Sequence, residues 1–409
     1  MSDAGMRRAA FWLVMLAAGG TFALTMGARQ SMGLFLPALN TSTGLGLGSI
    51  SLAFAFGQLW WGLTQPFAGA LADRYGAGRV LVAGVVLLAI GTFITPLMTT
   101  TLGLIFAIGV LASGGSGLAG PAVLMSASIR MIDPARRGIA TGIVNAGGSM
   151  GQFVTAPIAA ALIVGIGWGS AMQALAIMTL LCLPAAWVLR GTPAHAAGAA
   201  ATARPVGARA AVREALRHRG YVLLAAGFFV CGFHVAFLAV HLPGVVEACG
   251  LSPQWGGWAL AMLGLFNIIG SLAIGWAVGR WRMKSLLALI YAVRAVAVLA
   301  FLLAPKTGTV VLVFAAVMGL TYLSTVPPTA GLVTKFFGPA QMATLFGVVM
   351  LTHQVGAFFG SWMGGKVFEW TGNYDWFWYA DILLAVAAAL VHLPIREAPL
   401  PGRAVTAAA

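Results

Sequence analysis

Apolar runs of twenty or more residues recur along the whole of this 409-residue chain. No other feature constrains its fold as strongly. About 20 residues of helix cross the ~30 Å hydrocarbon core of a bilayer. Within lipid every backbone group must be satisfied inside a helix or a closed barrel. Twelve runs are read, at approximately 10–38, 48–72, 79–98, 101–130, 138–164, 168–190, 220–243, 254–279, 284–304, 308–334, 341–368 and 375–394. Barrel strands would be alternating segments of about 10 residues, and the sequence has none. Only 8% of residues are charged, against roughly 25% in soluble domains. The expectation is an all-α, polytopic membrane protein with twelve transmembrane helices.

The formal net charge of +14 would suggest nucleic acid if it were spread over a soluble surface. Instead it is segregated. With the N-terminus inside, the inner segments hold Arg7, Arg8, Arg74, Arg79, Arg130, Arg136 and Arg137, then the basic cluster of 190–219. They also hold Arg280, Arg282, Lys284, Lys335, Arg396 and Arg403, whereas the outer segments carry only Lys306 and Lys366. This asymmetry follows the positive-inside rule and predicts both termini in the cytoplasm, with no nucleic-acid partner. Cys182, Cys231 and Cys249 have no paired spacing, so neither a disulfide framework nor a zinc site is expected. The basic, apolar N-terminus is read as the first span rather than a signal peptide, because the run is too long and lacks a convincing cleavage site.

The longest polar interval, 191–219, begins as an Ala/Gly/Pro-rich linker and ends in AAVREALRHR, a candidate basic amphipathic helix at the inner surface. It divides the chain into a bundle at 1–190, a cytoplasmic linker at 191–219, a second bundle at 220–396 and a tail at 397–409. GALADRYGAGRVL after the second run is echoed by GWAVGRWRMKSLL after the eighth. Equal halves with such an echo point to a duplicated transporter fold.

The stretch from Gly69 through Asp73, Arg74 and Gly76 to Arg79 resembles the loop signature of the major facilitator superfamily, between its second and third helices. The resemblance implies two pseudo-symmetric six-helix bundles that rock about a central site. Asp73 would accept hydrogen bonds near a helix end, and Arg74 and Arg79 would meet neighbouring helices and lipid head groups. In the second half Gly279 stands where the aspartate belongs. The segments 136–151 and 338–374 are similar to the fifth and eleventh helices of bacterial monocarboxylate and oxalate/formate carriers. Carriers of that group often have an arginine in the eighth helix; here that run has none before Arg280. Gly109 stands where drug/proton antiporters often have an arginine, and Ala156-Pro157 replaces their Gly-Pro.

Arg29 and Arg294 are thus the candidate intramembrane cations. Arg29 lies 18 residues beyond Phe11, about 27 Å along a helix. At the centre of an isolated span an arginine costs ~2.5–3.5 kcal/mol, a cost reduced where it faces a wet cavity and an anion. Snorkelling to the outer head groups and a purely structural helix contact are the alternatives. Arg294, on a helix expected at the periphery, reads as a buried structural bond to a carbonyl or to Asp381. Asn145, Ser149 and Gln152 share one helical face, either lining a cavity or bonding between helices. Gln58 and Gln65, with Trp61 between them, form a similar stripe. His234 and His353 could each take a proton or bond neutrally across helices, and Gln354 adjoins the second. Tyr322, Thr325 and Thr329 form a further polar face.

No phosphate-binding loop pattern and no catalytic constellation occurs, so no enzyme activity and no cofactor are expected. The sequence reading is a monomeric secondary transporter of a bacterial inner membrane, moving a small, monocarboxylate-like organic anion. Arg29, Asn145, Gln152, His234, Tyr322, His353 and Gln354 are its candidate binding residues, with a proton as candidate co-substrate. A drug or metabolite exporter of the same fold is the alternative.

Overall fold

The computed structural model describes residues 3–132, 136–190 and 208–398. Eleven of its helices are long and apolar enough to cross a membrane. The helix Leu47–Tyr75, with 29 residues, also has the length; Gln58, Trp60, Trp61 and Gln65 make it less apolar than the rest. It completes the twelve.

The first half comprises α1 (Asp3–Gln30, continued by Met32–Phe35 and Leu36–Thr43), α2 (Leu47–Tyr75), α3 (Ala77–Ile94), α4 (from Thr101–Leu104 to Pro121–Arg130), α5 (Arg137–Ile166) and α6 (Trp168–Thr179 and Leu183–Val188). The second half comprises α7 (Arg219–Ala248), α8 (Pro253–Val278), α9 (Met283–Leu303), α10 (Gly308–Thr321 and Val326–Phe337), α11 (Pro339–Thr371) and α12 (Asp375–His392). The amphipathic segment before α7 forms the helix Ala208–Ala215. Its Ala211 and Ala215 are buried in an apolar cluster with Tyr221 and Leu345. The linker residues 191–207 and the tail 399–409 lie outside the described residues.

Two helices are broken at matching places. In α4 the chain leaves the helix at Ala119-Gly120 and re-enters at Pro121. In α10 it leaves at Thr321 and re-enters before Pro327-Pro328. Proline removes a donor and clashes with the preceding turn, so each re-entry is dictated locally. An offset of 206 residues relates Pro121 to Pro327, and also Gly69 to Gly275. The tenth apolar run is therefore two helices, and the regular spacing expected of Tyr322, Thr325 and Thr329 does not hold across the break.

The apolar core divides in a way that sets the shape. Helices alternate in direction, so both ends of the chain share one face, the terminal face. In the half away from it one continuous core joins both bundles, from Phe35 and Phe54 to Phe237, Leu260 and Phe377. In the terminal half there are two separate cores, one around Ala17, Leu81 and Leu124 and the other around Tyr221, Leu287 and Phe336.

Glycine contacts trace the same divergence. A Cβ at Gly62 of α2 would lie 2.5 Å from Gln354 Cγ of α11, and one at Gly264 of α8 would lie 2.8 Å from the Ser149 carbonyl of α5. At Gly33 it would lie 2.7 Å from the Val240 carbonyl. Two to three turns nearer the terminal face, on the same sides of these four helices, stand Gly69, Gly347, Gly142 and Gly275. A Cβ at any of these four meets nothing within 4 Å. The bundles touch in the far half and splay in the terminal half, leaving a vestibule open on the terminal face.

Candidate functional site at the apex of the vestibule

Arg29 sits where the bundles first meet. It is one residue short of the end of the regular α1 helix, before the turn Met32–Phe35 redirects the chain. Its Nη2 donates to Oε1 of Gln58, and its guanidinium lies 4.5 Å from the centre of the Trp61 ring. Both partners are on α2, three residues apart on one face. Neither carries a charge, so the cation is held but not neutralised. The side chain is half-buried, and the Tyr322 phenol across the interface is within electrostatic range. A cavity of about 20 Å³ borders Arg29, Gln58, Thr92 and Ser113, room for about one water.

Three N–H groups near this level have no acceptor: Trp61 Nε1, Gln152 Nε2 and Gln354 Nε2. Gln152 and Gln354 are 2% and 3% exposed. Such an unpaired buried donor costs about 1–3 kcal/mol. The three come from α2 and α5 of the first bundle and α11 of the second, and Gln354 packs against Gly62 of α2. Their chemistry suits an acceptor-only group, as an ionised carboxylate is.

The remaining candidates divide. Asn145 is exposed on the α5 face that continues from Ser149 toward the terminal face. His353 turns into its own bundle, its ring centred 5.0 Å from that of Phe228, and is buried with Nδ1 unpartnered. Tyr322 is buried, and its hydroxyl donates to the Val235 carbonyl at 3.0 Å. His234 lies deeper, beside Arg294. The structure therefore brings Tyr322 within range of Arg29 and Gln354 against α2, places Gln152 at the α5–α8 contact, and sets His234 and His353 apart.

Asn267 of α8 was not among the sequence candidates. Its Nδ2 donates to Ser149 Oγ at 2.8 Å, and its Oδ1 accepts from the Leu323 backbone N–H at 3.1 Å. One amide thus joins the first bundle to the broken segment of α10. The available signal was a lone amide in the otherwise apolar LGLFNIIG of the eighth run. Arg294 closes the other side of that break, donating from Nη2 to the carbonyls of Thr321 and, at 2.8 Å, Tyr322. It meets carbonyls, as expected, but reaches Asp381 only through His234.

The loop signature lies at the terminal end of α2. Gly76 has φ +90, a backbone state that favours glycine, and it separates α2 from α3. Arg79 lines an open cleft of about 1200 Å³ with Arg190 and Trp187, while Arg74 is exposed, 5.2 Å from the centre of the Tyr75 ring. Gly69 faces open space, and the side chain of Asp73 lies outside the described ones.

A sequence profile of the Major Facilitator Superfamily matches residues 17–361. Among curated proteins, the chain is 25% identical to the uncharacterized MFS-type transporter YcxA of Bacillus subtilis, over 93% of this chain and 92% of that one. It is 24% identical to monocarboxylate transporter 13 of Rattus norvegicus, over 94% and 89% respectively. Among solved structures, the nucleoside transporter NupG superposes with a TM-score of 0.76 at 14% identity, covering 94% of this chain and 98% of that one. The inward-open xylose transporter XylE of E. coli gives 0.73 at 14% identity, covering 94% and 96%. At such identities these structures speak for the fold alone.

Proposed function

The chain belongs to the Major Facilitator Superfamily, and on that premise we propose that this transporter carries a small organic anion, monocarboxylate-like, by alternating access. The observation that carries the reading is the un-neutralised cation at the apex. Arg29 has neutral partners, and the N–H groups of Trp61, Gln152 and Gln354 lack acceptors. A carboxylate supplies about four lone-pair sites and a countercharge; a neutral sugar or a cation does not. The monocarboxylate transporters among the relatives, 23–24% identical, are consistent with this substrate class.

The segregation of basic residues supports both termini and the linker in the cytoplasm; the membrane we assign is a bacterial inner membrane. On that orientation the vestibule opens inward. Binding at the apex would draw Gln354 of α11 and Tyr322 of α10 toward Arg29. That gives the anion a differential affinity for states in which the bundles differ in spacing, as alternating access requires.

The test is thermal stability of the purified protein with short mono- and dicarboxylates, inorganic anions, sugars, amino acids and cationic drugs, repeated on Arg29→Gln. A ligand held only by the folded state at 100 times its Kd adds about 2.7 kcal/mol. We expect stabilisation by monocarboxylates in the native protein and none in the variant. Stabilisation by bulky cations alone would replace this reading with drug export.

A further inference from the structure

Within the second bundle, apart from the apex, three ionisable side chains are buried in mutual contact. Arg294 of α9, His234 of α7 and Asp381 of α12 are each 1% exposed. Nη1 of Arg294 lies 3.4 Å from Nδ1 of His234, and Nε2 of His234 lies 3.0 Å from Oδ1 of Asp381. The second distance is that of an ion pair, but the atoms are not aligned for a hydrogen bond. We propose that Asp381 is a proton-binding site, and that His234 and Arg294 transmit its charge state to the broken segment of α10. The inference rests on the reading of the chain as an anion carrier whose site is the apex.

The disposition of the donors supports it. A guanidinium offers only N–H groups, so Nδ1 of His234 must present its lone pair to Arg294. The imidazole proton is then on Nε2, facing Asp381, and the ring is neutral. A second ring proton would put an N–H against a guanidinium, so the group left to take a proton is the carboxylate. A permanent structural ion pair would be expected to meet Arg294 directly, fork to carboxylate. Here Arg294 spends its donors on the Thr321 and Tyr322 carbonyls, and Asp381 sees the cation only across a ring. A buried carboxylate with so little compensation is costly to keep ionised.

The other groups facing this pocket are few. On α9 the Tyr291 ring lies 5.3 Å from the Arg294 guanidinium, and Arg294 also reaches Cys231 Sγ of α7 at 3.8 Å. His353 of α11 neighbours Cys231, and His392 of α12 stacks on Tyr291 at 5.3 Å. None of these is a second carboxylate.

The proton comes from solvent, binds a carboxylate oxygen of Asp381 and leaves by the same bond. Its arrival changes the cluster from neutral, one cation and one anion, to singly positive. Arg294 loses its countercharge and is drawn more strongly to the α10 carbonyls. One of those carbonyls belongs to Tyr322, whose phenol is in range of Arg29. Contacts thus run from Asp381 through His234 and Arg294 to Tyr322, and an electrostatic link continues to Arg29 at the apex, the kind of network through which two sites can couple.

The test uses the full chain in lipid and needs no known substrate for its first arm. The infrared carbonyl band of a protonated buried carboxylic acid is followed between about pH 5 and pH 9, the span in which a physiological proton switch must act. We expect a band that grows as pH falls and is missing from the difference spectrum of Asp381→Asn. Should that variant not fold, His234→Gln is expected to move the midpoint by about one pH unit. The second arm follows L-lactate in proteoliposomes: Asp381→Asn should keep lactate exchange and lose at least ~10-fold of its acceleration by a pH gradient, about 1.4 kcal/mol. No Asp381-dependent band, a band insensitive to pH, or unchanged pH-driven uptake by the variant would each overturn the proposal. If lactate is not carried at all, the anion reading fails and the infrared arm alone decides this one.

Discussion

The two intramembrane arginines face opposite conditions. Arg29 is half-buried at the interface between bundles, held by Gln58 and Trp61, which leave its charge intact. Arg294 is sealed within one bundle, its donors committed to carbonyls and its charge balanced through His234 by Asp381. The same side chain is a free cation in one place and a clamp in the other. What distinguishes them is whether a countercharge and backbone acceptors already lie within reach.

The contrast breaks most sharply on removal of the two side chains. Arg294→Ala would leave the Asp381 charge uncompensated and take the guanidinium donors from two carbonyls at the α10 break, a loss of about 3–5 kcal/mol. Thermal unfolding in detergent should show it strongly destabilised or not accumulating. Arg29→Gln should unfold within about 1 kcal/mol of the native protein, while losing the ligand-induced stabilisation described above. Equal thermal losses from both substitutions would end the distinction.

Asn267→Ala sharpens it by testing the other side of the α10 break. Removing the amide strands the Leu323 N–H and Ser149 Oγ, so a loss of about 1–3 kcal/mol is expected from the same unfolding measurement. The interface itself gives the next comparison. Gly264→Ala places a methyl against the Ser149 carbonyl at 2.8 Å. It should weaken the closed far half, with a loss of about 1–3 kcal/mol in the same unfolding measurement. Gly142→Ala, on the splayed part of the same interface, meets nothing within 4 Å and should stay within about 0.5 kcal/mol of the native stability. Smallest of all is the exposed Lys366–Glu369 pair at 3.1 Å; Lys366→Ala should change unfolding by about 0–1 kcal/mol.

Much of the site was legible in part. Arg29 could be placed some two-thirds of the way across its span by counting residues, and Gln58 and Trp61 stood out as a stripe on the second run. Helical periodicity states which residues share a face, not which face meets which. The resemblance assigns His353 to the cavity, although its ring packs on Phe228, and periodicity does not mark Asn267 as a bridge. Pro327-Pro328 was plain in the sequence, yet the break it causes acquires meaning only when Arg294 and Asn267 take up the groups it releases. The sequence offers a carbonyl or Asp381 as alternative partners for Arg294; it does not reveal the imidazole that stands between the two side chains.

Length and apolarity of the runs decided by themselves that the chain spans a membrane as twelve helices, because lipid leaves the backbone no other way to satisfy its hydrogen bonds. The segregated charges and the loop signature pointed to the orientation and the family from local sequence alone. Only the tertiary structure decided that the bundles meet in one half and splay in the other, and which arginine keeps a free charge. Those outcomes depend on contacts between residues hundreds of positions apart, and on the competition among several acceptors for one guanidinium, which no single stretch of sequence contains.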